Sequence, residues 1–383
     1  MRPQWRRLPS PKGDTVTRGR VHRLGALLIG LAAAAALAVT AANAASGRAS
    51  VHRATASSIT IAFDMPCSTC ASRFEEQDKP DFIKSVHKLN PQIKVIANNA
   101  QGSDATQIAQ IQDALANGAK VIVVSPLDLA TGVAIVSKAA KYHVPVIAYD
   151  GLLQGAKIAF YVSFDNLKVG ALQGQYLLSH LQSGATVAMI NGDQTSTPGV
   201  QFKQGALSVL NPAFNSGRLK LGYSIDTPLW NPATATTEMQ QALTKLNNNV
   251  QGVLSPNDGI AGGVIAALKS QQLDGKVVIT GQDATPQGLQ DILLGTQSMT
   301  VFKPITLEAA VAAKVAVGLA TGNKTIVKTV AKTTVANGKG KVPSVLLKPI
   351  VVTKANVGLV VKDGSATWKD ICAGMAAGTC PGN

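Results

Sequence analysis

From Ser57 to Lys303 the chain repeats one pattern: a short β-branched apolar run, a stretch of about ten to fifteen residues with helical periodicity, then another run. A parallel neighbour in a sheet can be reached only by a crossover of a dozen or more residues, usually a helix. The pattern therefore predicts parallel sheets covered by helices on both faces. A first series runs SSITIAFDM (57–65), helix 76–89, KVIANN, helix 103–117, AKVIVVSP, helix 129–142 and VPVIAYD. A second begins at FYVSFDN and continues with helix 166–182, ATVAMING, a helix near 202–209, LKLGYSID, helix 234–247, VQGVLSP, helix 259–270 and KVVITG. Two sheets of ordinary width are favoured over one very wide sheet, so the chain divides into two similar lobes with a cleft between them.

Polar residues stand where these strands end. Asp150 closes VPVIAYD, Asn257 closes VQGVLSPND, Asp283 closes KVVITGQD and Lys303 closes SMTVFK. In open α/β sheets ligands bind beyond the carboxyl ends of the strands. A lysine ending an apolar strand before Pro304 needs an anionic or hydroxylic partner. Aromatics make up only 4% of the chain, so Trp230, set between Pro228 and Asn231, is a loop residue worth noting. Carboxylates, an amide, an ammonium and a flat ring suit an uncharged molecule with many hydroxyls, because acceptor-only, donor-only and dual groups together fix each hydroxyl's direction. Asp150, Asn257 and Asp258 also fit turn or N-cap positions, and Asp165 in SFDN reads as an N-cap alone.

The first 44 residues read as an export signal: a basic leader (Arg2, Arg6, Arg7, Lys12, Arg18, Arg20, Arg23), an apolar run from Leu24 to Ala38, and an A-x-A cleavage site at Ala42–Ala44. Residues 45–57 then form a flexible linker, and the cleaved protein is soluble in the periplasm or outside the cell. Seven Lys/Arg and one Asp leave with the leader, so a net charge of +15 falls to +9. The remaining lysines are spread without interleaved aromatics, which argues for a solvated face and against a nucleic-acid or membrane surface.

Cysteine usage agrees with export. Cys372 and Cys380 can close a short loop in the tail. Cys67 and Cys70 form a C-x-x-C with no second pair and no nearby histidine, which weakens a zinc reading. A local disulfide is preferred, with a redox-active pair as the alternative. No G-x-S-x-G, H-E-x-x-H, G-x-G-x-x-G or P-loop motif occurs, so no enzyme is expected, and no cofactor or metal.

The segments AYD (148–150), YVSFDNLKVGALQ (161–173), SPNDGIAGG (255–263), ITGQDAT (279–285) and TVFKPIT (300–306) together resemble the periplasmic sugar-binding proteins of ABC importers, most closely the xylose-binding branch of the ribose/galactose group. The likeness runs from about residue 58 to about 350. It implies a type I binding-protein fold: two lobes, each a parallel sheet sandwiched by helices, joined by three crossover segments. By that analogy one lobe is 58–160 plus 304–340 and the other 161–303 plus 341–383. It also implies that Asp150, Asn257, Asp283 and Lys303 contact sugar hydroxyls, that Trp230 stacks on the ring, and that Arg73 and Phe74 supply a donor and a second stacking surface. Thr197 is carried over in GDQTSTPGV, where Thr197 and Pro198 stand in place of Asn or Asp. Gly151 stands where relatives usually carry Arg. The implied partners are a monosaccharide, xylose or another aldose, and a membrane permease, with the receptor a monomer. A sensor docking on a chemoreceptor is the alternative, followed by a repressor-like or enzymatic descendant of the fold.

Overall fold

The computed structural model describes residues 59–323, 325–376 and 378–381. The expected leader (1–44) and the expected linker (45–57) lie outside them.

The first series folds as β1 (Thr60–Met65), α1 (Lys79–Leu89), β2 (Lys94–Asn99), α2 (Asp104–Ala116), β3 (Val121–Val124), α3 (Leu129–Lys141) and β4 (Val146–Tyr149). A π-helical turn, Phe74–Asp78, precedes α1. Then come β5 (Phe160–Phe164), α4 (Asn166–His180), β6 (Ala185–Asn191), α5 (Thr197–Asn215), β7 (Leu219–Asp226), α6 (Pro232–Lys245), β8 (Gly252–Leu254), α7 (Asp258–Ser270), β9 (Val278–Ile279), α8 (Pro286–Leu294) and β10 (Thr300–Phe302). The chain closes with α9 (Ile305–Ala320), α10 (Ile326–Val330), β11 (Thr333–Ala336), β12 (Lys341–Leu347), β13 (Ile350–Val352), α11 (Gly358–Asp363) and α12 (Trp368–Ile371).

A seven-stranded sheet has the order β11-β12-β5-β4-β3-β1-β2, and a four-stranded sheet the order β7-β6-β8-β9. All pairings in both are parallel except β11 with β12. The strands β1, β3, β4 and β5 are buried at every position, as a sheet covered on both faces demands. Their alternate sides feed two cores: Ile61, Phe63, Val123 and Val162 pack with α1 and α9, while Ala62, Ile122, Val124 and Tyr161 pack with α2 and α3. The second sheet is sandwiched in the same way, by Ala188, Ile190 and Val253 against α6 and α7 on one side and by Val187, Met189 and Leu254 against α4 and α5 on the other.

Two boundaries differ from the sequence reading. β5, expected to open the second lobe, pairs with β4 (Ile147↔Phe160) and with β12 (Val345↔Val162) inside the first sheet. Its residues Phe160 and Val162 are fully buried there, so the chain leaves the first lobe after Phe164. Residues 341–347, assigned to the second lobe, form β12 and stay with the first. The chain thus passes between the sheets three times: between β5 and α4, between β10 and α9, and between β12 and β13. The final segment returns to the second lobe, where Val352, Val357, Val360 and Ile371 pack against Leu289 and Ile292 of α8. Strand β10 pairs antiparallel with β13 in a separate two-stranded ribbon. The helix expected near 202–209 is longer, starting at Thr197 because Ser196 caps it and ending beyond Pro212.

Both C-x-x-C and tail cysteines are paired, Cys67 with Cys70 and Cys372 with Cys380.

Candidate ligand-binding site

The strand-to-helix turns of both lobes converge on one cavity. Seven helices begin there or nearby on capping side chains: Ser103, Asp128, Asp165, Ser196, Asn231, Asn257 and Thr285 each accept from a backbone N–H of the first helical turn. Asp165 is an N-cap, as read. The cavity is lined by Arg73, Phe74, Asp150, Trp230, Asn257, Asp283 and Lys303 among others.

At one end lies a buried ionic cluster. Arg73, 2% exposed, places Nη1 2.7 Å from Asp78 Oδ1, Nη2 2.8 Å from Asp150 Oδ1 and Nε 3.3 Å from Asp283 Oδ1. Lys303 Nζ reaches Asp283 at 3.2 Å and Asp150 at 3.4 Å. Tyr149 donates its hydroxyl to Asp78, and the backbone N–H of Asp150 donates to Glu308. Burial opposes the charge on Arg73, but Asp150, Asp78 and Asp283 outweigh it and push its pKa further up. Burial likewise opposes the ionised form of Asp150, yet Arg73 and then Lys303 bring its pKa below the usual value. Asp78 rises to about 6, because desolvation exceeds the pull of Arg73. Desolvation and the neighbouring Asp150 push Glu308 well above the carboxylate range. The cluster is therefore graded: Arg73 and Lys303 favour the ionised form of Asp150, while burial and the neighbouring Asp150 favour the neutral form of Glu308 behind it.

Two of these carboxylates sit on unusual backbone. Asp150 has φ 57° and Asp283 φ 97°. Such conformations cost a non-glycine residue on the order of 1–3 kcal/mol and persist where surrounding structure over-determines them. Here the Asp150 N–H is held by Val162 O and the Asp283 N–H by Val301 O, both at 2.9 Å, so each carboxylate is aimed by a backbone clamp.

Trp230, also at positive φ and half-buried, lies against Gly192, where a Cβ would fall 2.2 Å from the indole ring. Its edge meets Phe202 with centroids 6.0 Å apart. Phe74 carries the Arg73 guanidinium 4.5 Å above its ring. The lobes touch directly around the cavity: Asn257 Nδ2 donates to Cys70 O at 3.1 Å, Leu129 N to Thr195 O at 3.1 Å, and Thr197 Oγ1 to Leu152 O at 2.8 Å.

A family model described as a periplasmic binding protein domain matches residues 65–324. The D-xylose-binding periplasmic protein of Escherichia coli (strain K12) is 39% identical over 290 residues, 76% of this chain and 86% of that protein. The D-xylose-binding periplasmic protein of Haemophilus influenzae is 35% identical over 297 residues, 77% and 87% of the two chains. The chain belongs to the periplasmic binding protein family. Among solved structures, a carbohydrate transporter solute-binding protein from Chloroflexus aurantiacus in complex with D-glucose superposes with a TM-score of 0.74 at 27% identity, covering 81% of this chain and 97% of that one.

In this periplasmic binding protein the cavity gathers seven of the eight residues singled out in the sequence. Thr197 is the exception. As the first residue of α5 it turns its hydroxyl to Leu152 O and does not line the cavity. Asn257 serves both readings, since Oδ1 caps α7 through Ile260 N while Nδ2 bridges the lobes. Sequence reasoning missed Ser125, Asp193 and Gln282, which also line the cavity. Ser125 and Asp193 follow β3 and β6, so the same strand-end rule points to them. Gln282 is buried with its Oε1 unpartnered. Glu308 was legible too, as the one carboxylate in the apolar run ITLEAAVAAKVAVGLA.

Proposed function

We propose that the protein is an extracytoplasmic solute receptor that binds a monosaccharide, xylose or another aldose, between its lobes and delivers it to an ABC-transporter permease. The observation that carries this reading is the pairing, in one cavity, of an ionic cluster with half-buried Trp230. Charge-assisted hydrogen bonds are roughly twice as strong as neutral ones, and Arg73, Asp150, Asp283 and Lys303 offer them from both lobes. The xylose-binding relatives and the glucose-bound neighbour support the same class of ligand.

The mechanism is closure by differential affinity. A ligand touching Asp150 on one lobe and Asp283 on the other favours the arrangement in which both lobes reach it. The interlobe bonds from Asn257, Leu129 and Thr197 form in that arrangement and present a joint surface to the permease. The receptor works as an exported monomer and releases the sugar unchanged.

A thermal-shift screen of aldopentoses and aldohexoses tests this. A sugar at a hundred times its dissociation constant adds about 2.7 kcal/mol of stability, and it should be recovered intact by mass spectrometry. A flat panel overturns the receptor reading, and a converted sugar overturns binding without turnover.

A further inference from the structure

The turn that carries Asp283 brings a second polar side chain to the cavity. Between β9 and α8 the chain reads Thr280-Gly281-Gln282-Asp283-Ala284-Thr285. Neighbouring elements pin its backbone. Gly281 O accepts from Val301 N and from Gln173 Nε2, both at 3.0 Å, Gln282 O accepts from Asp258 N at 2.9 Å, and Thr285 N donates to Asp258 Oδ2 at 2.9 Å. In extended backbone successive side chains point to opposite faces. Here Asp283 and Ala284 take φ of 97° and 50°, which breaks that alternation, and the adjacent Gln282 and Asp283 both line the cavity.

The polar side chains of the turn differ in what the fold asks of them. Thr280 Oγ1 donates to Ser255 O at 2.9 Å and accepts from Ser255 N at 3.0 Å. Thr285 Oγ1 donates to Asp258 Oδ2 at 3.2 Å and accepts from Gly288 N at 3.0 Å. Asp283 faces Arg73 and Lys303. Gln282 is as buried as these, at 3% exposed, yet its Oε1 has no hydrogen-bond partner. Buried side-chain polar atoms overwhelmingly have one, and each exception calls for a reason. A carboxamide offers an acceptor oxygen and two N–H donors, and a sugar hydroxyl is both donor and acceptor, so the two are matched partners.

We propose that Gln282 is a specificity-determining residue of the receptor, whose carboxamide takes one hydroxyl of the sugar and so makes a hydroxyl at that ring position a condition of tight binding. This rests on the sugar-receptor reading and narrows it to aldoses that are not deoxygenated there. The pinned turn aims the amide before the ligand arrives, which keeps the ordering cost of the contact low. In the ligand-free protein the same amide is a liability, because an unpaired buried polar group is penalised. Function at the expense of stability is the signature expected of a binding residue.

The experiment is calorimetric titration of the purified protein and of Gln282→Met, a side chain of similar length without the amide, with D-xylose, D-ribose, D-glucose and D-galactose and the monodeoxy derivatives of each. The sugar that binds the unmodified protein best should bind the variant about tenfold more weakly. One of its monodeoxy derivatives should bind both proteins within about twofold of each other, because the contact is already missing on the ligand side. That derivative names the hydroxyl. Without sugar, denaturant unfolding of Gln282→Met should show stability equal to or above that of the unmodified protein. A clear loss of stability would return Gln282 to the fold, and an unchanged affinity, or the same loss for every derivative, would show that it reads no hydroxyl. Each of these overturns the inference and leaves the receptor reading standing. A panel in which no sugar binds the unmodified protein overturns both.

Discussion

Two buried carboxylates of the second lobe, Asp258 and Asp283, stand beside neighbouring strand ends and yet do different work. Asp258 is consumed by the fold. Its Oδ1 accepts from Gln297 Nε2 and Thr300 Oγ1, both at 2.8 Å, and its Oδ2 from Thr285 N at 2.9 Å and Thr285 Oγ1 at 3.2 Å. Asp283 lines the cavity, and its Oδ1 has two cations within 3.3 Å but no hydrogen bond of good geometry. The difference teaches how to separate, at equal burial, a carboxylate consumed by the fold from one left available to the proposed ligand. The first has its lone pairs filled by donors from its own lobe, while the second is held by charge and keeps directions open towards the cavity.

The largest expected effect separates them through stability. Asp258→Ala strands the Gln297, Thr300 and Thr285 donors, and each unsatisfied buried group costs about 1–3 kcal/mol. A loss of roughly 3 kcal/mol or more in denaturant unfolding is expected, with sugar affinity of the folded fraction unchanged. A loss under about 1 kcal/mol would show that water or rearrangement replaces the carboxylate. Asp283 should show the reverse balance. Asp283→Gly relieves the φ of 97°, which offsets part of the attraction lost by buried Arg73 and Lys303, so stability should fall less than in Asp258→Ala while affinity falls tenfold or more, about 1.4 kcal/mol. Trp230→Ala should match that loss of affinity, and if both variants titrate like the parent, the cavity is not the binding site.

Acidity gives a third contrast. Burial first, and the nearby Asp283 second, push the Asp258 carboxyl up to about 7, against the hydrogen bonds from Gln297, Thr285 and Thr300. In the unfolded chain it titrates near 3.8. Between those values the folded state binds more protons, so stability falls as pH rises from about 4 to about 7 and levels off above. Asp64, pushed to about 7 by burial, and Asp78, at about 6, add to the same slope, while Asp150, shifted downward, works against it. Asp258→Asn should flatten the unfolding free energy against pH by up to about 1.4 kcal/mol per unit within that window. An unchanged slope would mean that Asp258 is ionised throughout.

The same contrast explains what was legible in the sequence. Asp150, Asp283 and Lys303 could be read because a charged residue closing an apolar strand is a local signal, and the strand-end rule turns it into a place. Asp258 and Asn257 read alike as cap or ligand, since the donors that decide between the roles come from Thr285, Gln297, Thr300 and Cys70, remote in sequence. The lobe boundaries failed for the same reason. Nothing within FYVSF says that its neighbour is SVLL, and only the pairing of β5 with β12 places both in the first sheet. Thr197 failed through direction, because the first residue of a helix can face the cavity or the adjoining loop, and Leu152 O takes its hydroxyl.

The two disulfides offer the smallest and most local version of the comparison. Cys372–Cys380 packs among Val352, Val357 and Ile371, and neither cysteine lines the cavity. Cys67–Cys70 lies in the loop between β1 and Arg73, and Cys70 supplies both cavity lining and the carbonyl that accepts from Asn257. Closing so short a loop restrains the unfolded chain little, roughly 2 kcal/mol on the chain-entropy account. Its larger consequence is where it leaves the Cys70 carbonyl and the guanidinium three residues on. Cys67→Ser with Cys70→Ser should therefore weaken sugar binding about threefold, roughly 0.6 kcal/mol, as the loop samples positions that miss Asn257. Cys372→Ser with Cys380→Ser should lower the unfolding temperature and leave affinity untouched. The decisive control is Asn257→Ala placed on each background. On the tail variant its effect should be undiminished, and on the Cys67/Cys70 variant it should shrink, because the bond it removes is the one the staple holds in place. Equal effects on both backgrounds would reduce Cys67–Cys70 to a second structural clasp.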